Sequence, residues 1–125
     1  LEALTVEGFI QDLTVNIGAG FAAVKAVTSG MTERGEGTIL ITGGIFATQP
    51  NADYLSLSVG KAGVRNLTHG LFDLLKDRNV HIATVTVGTL VAAGSDESHA
   101  IAQAFWDLHA EPKDQWTAEA QYPAA

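Results

Sequence analysis

Cysteine is absent from the 125-residue chain, which excludes disulfides, thiolate nucleophiles and cysteine-ligated metal sites at once. Basic residues are few. Seven lysines and arginines stand against fourteen aspartates and glutamates, for a net charge of -7. Nucleic acid or an anionic membrane would meet like charge over most of such a surface, so neither is expected as a partner. No apolar run approaches the roughly 18 residues that a membrane span requires, and no basic-then-apolar leader opens the chain. The four histidines, His69, His81, His99 and His109, share no ligand spacing, so structural or exposed roles are expected and no metal. An initiator methionine is also missing. The start at Leu1 leads to the expectation of a fragment, a processed product or a truncated form, with cytoplasmic residence.

What is present is the composition of one globular domain, 46% hydrophobic and 17% charged. Phe9, Ile10, Leu13, Ile17, Phe21, Val24 and Val27 recur at steps of three and four. That period predicts a helix from Thr5 to about Arg34, with Thr5 as N-cap and Glu7 favourable to its dipole. Gly35 and Gly37 suit its end. Thr38 to Thr42 is a β-branched run without alternation, as in a strand covered on both faces. A second long helix is expected from Asp53, as N-cap, to about Arg78, on the spacing of Val64, Leu67, Leu71 and Leu74. His81 to Val87 reads as a second strand. A third helix over about 97–109 turns Ile101, Phe105 and Leu108 inward. Trp106 and Trp116 are expected to pack it against a terminal segment, Trp116 to Tyr122, that forms a short last strand.

Strands separated by long helices cannot be joined as hairpins, so the sheet is expected to be parallel with right-handed crossovers. The fold class is α/β: a partial Rossmann-like sheet of about three strands and three helices, the later half of a doubly wound domain filling residues 1–125. The first strand has no earlier strand to pair with. A partner chain, a swapped segment or an amino-terminal half would fill that side.

Gly18-Ala19-Gly20-Phe21-Ala22-Ala23 matches G-x-G-x-x-A, a permitted form of the dinucleotide fingerprint. The residues before Leu13 continue the same helical stripe, however, leaving no turn for a strand to begin. The following strand ends in Thr42-Gly43-Gly44, without the acid that would hold a ribose. The small residues are therefore read as lying mid-helix.

From Asn16 to Gly88 the chain resembles the short-chain dehydrogenase/reductase family. The residues that carry the likeness are Val15-Asn16-Ile17, Gly37 to Gly44, Leu57 to Val64 around Lys61, and Val85-Thr86-Val87-Gly88. The resemblance implies the later half of a carbonyl or alcohol oxidoreductase using NAD or NADP, without its coenzyme-binding half. It assigns Asn16 to the water-holding asparagine and Lys61 to the lysine that lowers a tyrosine's pKa and binds ribose. The tyrosine position holds Leu57 and the serine position Gly44, neither of which can do that chemistry. Backbone at Gly88 to Leu90 would contact nicotinamide, while the expected threonine is Ala92. The chain alone is expected neither to bind coenzyme nor to catalyse.

Tyr54 offers a substitute phenol, two helical turns before Lys61. Its Cα would lie about 10 Å along the axis from that of Lys61, against about 6 Å for the usual pair. Ser56 or Ser58 would then donate a hydroxyl. Three functions follow: a divergent oxidoreductase lacking its usual serine and tyrosine, a reductase using Tyr54, or a binding and assembly module that kept only the fold. The resemblance also implies a homodimer or tetramer formed through the two long helices, where Gly18, Gly20, Ala22, Ala23, Ala62 and Gly63 suit close contact.

Overall fold

The computed structural model describes residues 1–124. Its helices are α1 (Val6–Leu13), α2 (Ala19–Arg34), α3 (Leu55–Lys76) and α4 (Asp96–Ala110), and its strands β1 (Gly37–Gly44), β2 (Val80–Val87) and β3 (Glu119–Tyr122). The sheet is parallel in the order β1-β2-β3, with Gly37 opposite Val80 and Thr84 opposite Glu119. The expected α/β class and parallel sheet are found.

The first long helix is one rod with a defect. Between α1 and α2, Thr14–Gly18 forms a π-helical turn, marked by the Ala19 N–H donating to the Thr14 carbonyl. The hydrophobic spacing did not foretell it. Two side chains compete there for i-4 carbonyls: the Thr14 hydroxyl donates to Ile10 O and the Asn16 amide to Asp12 O, each over 2.9 Å. Such competition loosens the α ladder and favours one longer bond. Thr5 caps α1 as expected, accepting from the Gly8 N–H. Gly35 ends α2 in the left-handed region at φ 69, and the Glu36 N–H reaches back to Met31 O, a Schellman-type stop. The glycine motif thus lies wholly within helix, and Leu13 to Ile17 is no strand.

At the start of α3, Asp53 is not the cap. The Asn51 side chain accepts from the Asp53 N–H to begin a 3-10 turn over Ala52–Tyr54, and α3 starts only at Leu55. Asparagine two residues earlier already satisfies the free donor, so Asp53 has no capping role.

β2 is the centre of the molecule, buried from Val80 to Thr86. On one side Val80 and Ile82 pack with Val24, Leu75, Ile39 and Phe72; on the other Ala83 and Val85 pack with Ile101, Leu108 and Phe105. β1 is only half-buried, and among the described residues no strand lies beside its outer edge. The terminal strand is shorter than Trp116 to Tyr122: it begins at Glu119, while the Trp116 indole and the Thr117 N–H both donate to Glu111. Trp116 stacks on buried His81 at 4.8 Å, but Trp106 is 62% exposed and does not join that packing. No helix among the described residues is long and apolar enough to cross a membrane.

Gly60 and Gly63 are consumed inside the chain. A Cβ at Gly60 would fall 2.8 Å from Asn16 Cβ, and one at Gly63 would fall 2.2 Å from Ile17 Cδ1. They let α3 lie directly against the π turn. Gly63, expected on the association surface, is therefore occupied by Ile17. Gly20 differs, with no heavy atom within 4 Å of its Cβ position.

Candidate functional site

In open parallel sheets, ligands bind in the crevice beyond the carboxyl ends of the strands. Here β1 ends at Gly44 and β2 at Val87, and α3 leans over both. Between them opens a cleft of about 380 Å³, lined by Gly43 to Phe46, Leu57, Lys61 and Val87 to Leu90. Its walls are mostly apolar.

Leu57 and Lys61 stand one turn apart on α3, so both reach the cleft. The Lys61 Nζ donates to the Thr42 carbonyl over 3.1 Å. Its methylene stem crosses Gly44, where a Cβ would sit 3.4 Å from Lys61 Cγ. Burial lowers the Lys61 pKa, because the charged ammonium loses hydration there. No carboxylate among the described residues forms a salt bridge with it. The lysine is thus folded back over the strand, its head still partly open to solvent.

The fold therefore brings together Gly44, Leu57, Lys61, Gly88 and Leu90. The Gly88 N–H is committed to Tyr122 O over 2.7 Å, whereas the Thr89 and Leu90 N–H groups find no acceptor among the described residues. The Leu90 side chain is 96% exposed.

Asn16 and Tyr54 lie elsewhere. Asn16 sits in the π turn, its amide held by Asp12 O and its side chain against Gly60. Tyr54 is 56% exposed, stacks on Phe46 with ring centroids 5.5 Å apart, and lines a neighbouring hollow with Leu1, Leu4 and Ser56. Leu57 lines both spaces and stands between them. The Ser56 hydroxyl donates to Asp12, tying α3 to α1. Buried Ser58 donates to Tyr54 O and accepts from the Asn51 N–H, holding the helix start.

A polar group that sequence reasoning did not foresee stands beneath α3. Glu119 on β3 accepts from Arg65 Nε and Nη2, over 3.1 and 2.9 Å, from the Thr86 hydroxyl, and lies 3.2 Å from His69 Nε2. Burial pushes the Glu119 carboxyl up, but hydrogen bonds from Arg65, Thr86 and His69 and the Arg65 charge outweigh it and leave the pKa lowered. The same hydrogen bond raises that of Arg65. One signal was available: Arg65 and His69 follow Lys61 at steps of four on one helix face. The partner, more than fifty residues on, gave none. The described residues hold no cluster of metal ligands.

Comparison with known proteins agrees with this architecture. The family model described as short chain dehydrogenase matches residues 1–101. Among solved structures, the chain is similar to a short-chain dehydrogenase from Rhodopseudomonas palustris, at 24% identity and TM-score 0.82, covering 94% of this chain and 52% of that one. It is similar to a metagenomic short-chain oxidoreductase in complex with NADP, at 21% identity and TM-score 0.84, covering 97% and 54%. Serine dehydrogenase from Escherichia coli gives 23% identity and TM-score 0.81, covering 94% and 53%. The chain spans about half the length of these proteins. No curated protein matches it.

Proposed function

The chain belongs to the short-chain dehydrogenase family, and we propose that it supplies the substrate-facing half of an NAD(P)-linked oxidoreductase-like protein whose usual catalytic hydroxyls are gone. The observation that carries this reading is the cleft at the strand ends. It gathers Lys61, the Gly88 to Leu90 backbone, and the two altered positions Gly44 and Leu57.

The residues fit the nicotinamide side of such a coenzyme in part. Lys61 would hold the ribose by turning its amine from Thr42 O, and the free N–H groups of Thr89 and Leu90 would meet the carboxamide. When bound, the coenzyme would give or take a hydride. Asn16, already tied to Asp12 O, orients its helix turn toward α3 through Gly60. No phenol or serine hydroxyl lines the cleft to pass a proton to a substrate oxygen. Binding is therefore expected to outlast turnover in this lineage. Exposed Val6, Ile10, Val15 and Phe21 on the first rod support association of copies through the long helices.

The test is NADPH fluorescence titration of this chain alone and of the chain joined to a relative's coenzyme-binding half. Binding by the joined form only is expected; binding by neither favours the second reading, an assembly module that kept the fold. Gly44 and Leu57 are what favour that alternative. A reductase relying on Tyr54 would need the phenol to enter from the adjoining hollow. Loss of turnover in Tyr54→Phe of the joined protein would support it, and unchanged turnover would remove it.

A further inference from the structure

The cleft contains one titratable side chain, Lys61, with Ile45, Phe46, Leu57 and Val87 around it. Its amine has a single hydrogen-bond partner, the Thr42 carbonyl, and that partner accepts a hydrogen without neutralising a charge. A neutral amine can give one N–H to this carbonyl and still present its lone pair to the cleft. The stem lies across Gly44, whose lack of a side chain lets it rest against the strand end. At about 380 Å³ the cleft is large enough for a small organic molecule.

The geometry points to Lys61 as an amine nucleophile that condenses with small uncharged aldehydes or ketones held in this cleft. This is a different activity from hydride transfer and does not require the coenzyme-binding half. Lysine performs such chemistry where an apolar pocket favours the uncharged form. Burial of Lys61 acts in that direction. In the reaction the nitrogen lone pair attacks the carbonyl carbon, forming a C–N bond while the π pair moves to oxygen. That oxygen takes a proton from solvent at the open mouth. Nitrogen then loses a proton to give the carbinolamine, whose hydroxyl takes a second proton from solvent; the C–O bond breaks as the nitrogen lone pair forms C=N, and water leaves a protonated imine. No electrons are gained or lost overall. Leu57 at the position of a phenol suits this role, since no phenol stands one turn away to compete for the lone pair.

The test is reductive trapping of the purified chain with benzaldehyde and cyanoborohydride at neutral pH, followed by peptide mapping of Lys25, Lys61, Lys76 and Lys113. Lys61 is expected to be labelled about tenfold faster than the others, with a rate that saturates in benzaldehyde. Exposure alone would produce the opposite order, because Lys61 is half-buried while Lys25 and Lys113 are exposed. Equal or slower labelling of Lys61 overturns the proposal. In Leu57→Asp, whose carboxylate would pair with the ammonium, labelling at Lys61 should fall while the other lysines are unchanged. An unchanged Lys61 rate in a variant with native circular dichroism would likewise overturn it.

Discussion

Lys61 Nζ donates to the Thr42 carbonyl over 3.1 Å, so this side chain of α3 is anchored on a backbone carbonyl near the end of β1 and not on another side chain. Its neighbour one turn back is Leu57, and the strand end it crosses is Gly44.

Restoring the lost groups is a direct test of that arrangement. The Cβ position at Gly44 meets only the lysine stem, at 3.4 to 3.5 Å, which is ordinary contact. Gly44→Ser should change stability by no more than about 1 kcal/mol in thermal melts. In the protein completed by a coenzyme-binding half, Gly44→Ser with Leu57→Tyr should raise carbonyl-dependent NADPH oxidation above that of either single variant. Equal rates in all three would show that another position limits the chemistry.

Gly60 carries the contact between α3 and the π turn. A methyl there would meet Asn16 Cβ at 2.8 Å, close to that residue's backbone. Gly60→Ala should cost about 1–3 kcal/mol through overpacking, read as a lowered urea midpoint. Gly20→Ala faces open space and should raise the midpoint, by up to about 1 kcal/mol from helix propensity. If both variants proved neutral, the close packing at Gly60 would be wrong.

Glu119 makes stability depend on pH. Its folded pKa lies below the ordinary glutamate value of about 4.5, so the stabilisation is present above that value and is lost as pH falls through the folded pKa. Glu119→Gln should therefore destabilise by about 1–2 kcal/mol at neutral pH, the lower figure applying because solvent screens the part-exposed Arg65. Below the ordinary glutamate range the two proteins should converge. Denaturation curves across that range would show a constant gap if the carboxylate's charge were not the cause.

Val6, Ile10, Val15 and Phe21 are exposed apolar side chains on the first rod. Ile10→Glu with Val15→Glu adds charge to both copies of any symmetric contact. The pair should shift sedimentation toward the monomer with little change in melting of the fold. An unaltered sedimentation profile would place the association surface elsewhere.

The rod, both longer strands and the third helix were legible because their signals are local. Phe9 to Val27 keep a helical period, and β2 is an unbroken apolar and β-branched run. The π turn was not legible, because its cause is a choice made by two polar side chains, Thr14 and Asn16, between solvent and a carbonyl. The cap at Asn51 was misassigned to Asp53 since both residue types cap helices, and only backbone geometry separates them. Trp106 was expected to pack the third helix against the terminal segment; its position on α4 turns it outward instead.

By itself the sequence determined the parallel α/β class and the mid-helix place of the glycine motif, and it put Gly44 and Leu57 where the resemblance would place a serine and a tyrosine. Each depends on residue identity and short-range spacing. The tertiary structure decided what those replacements leave behind. It turned Lys61 onto Thr42, set Tyr54 on Phe46 outside the cleft, pressed Gly60 and Gly63 against the π turn, and joined Arg65 to Glu119. These are contacts between segments distant in sequence. They depend on where the chain closes on itself, and packing rather than pattern settles that.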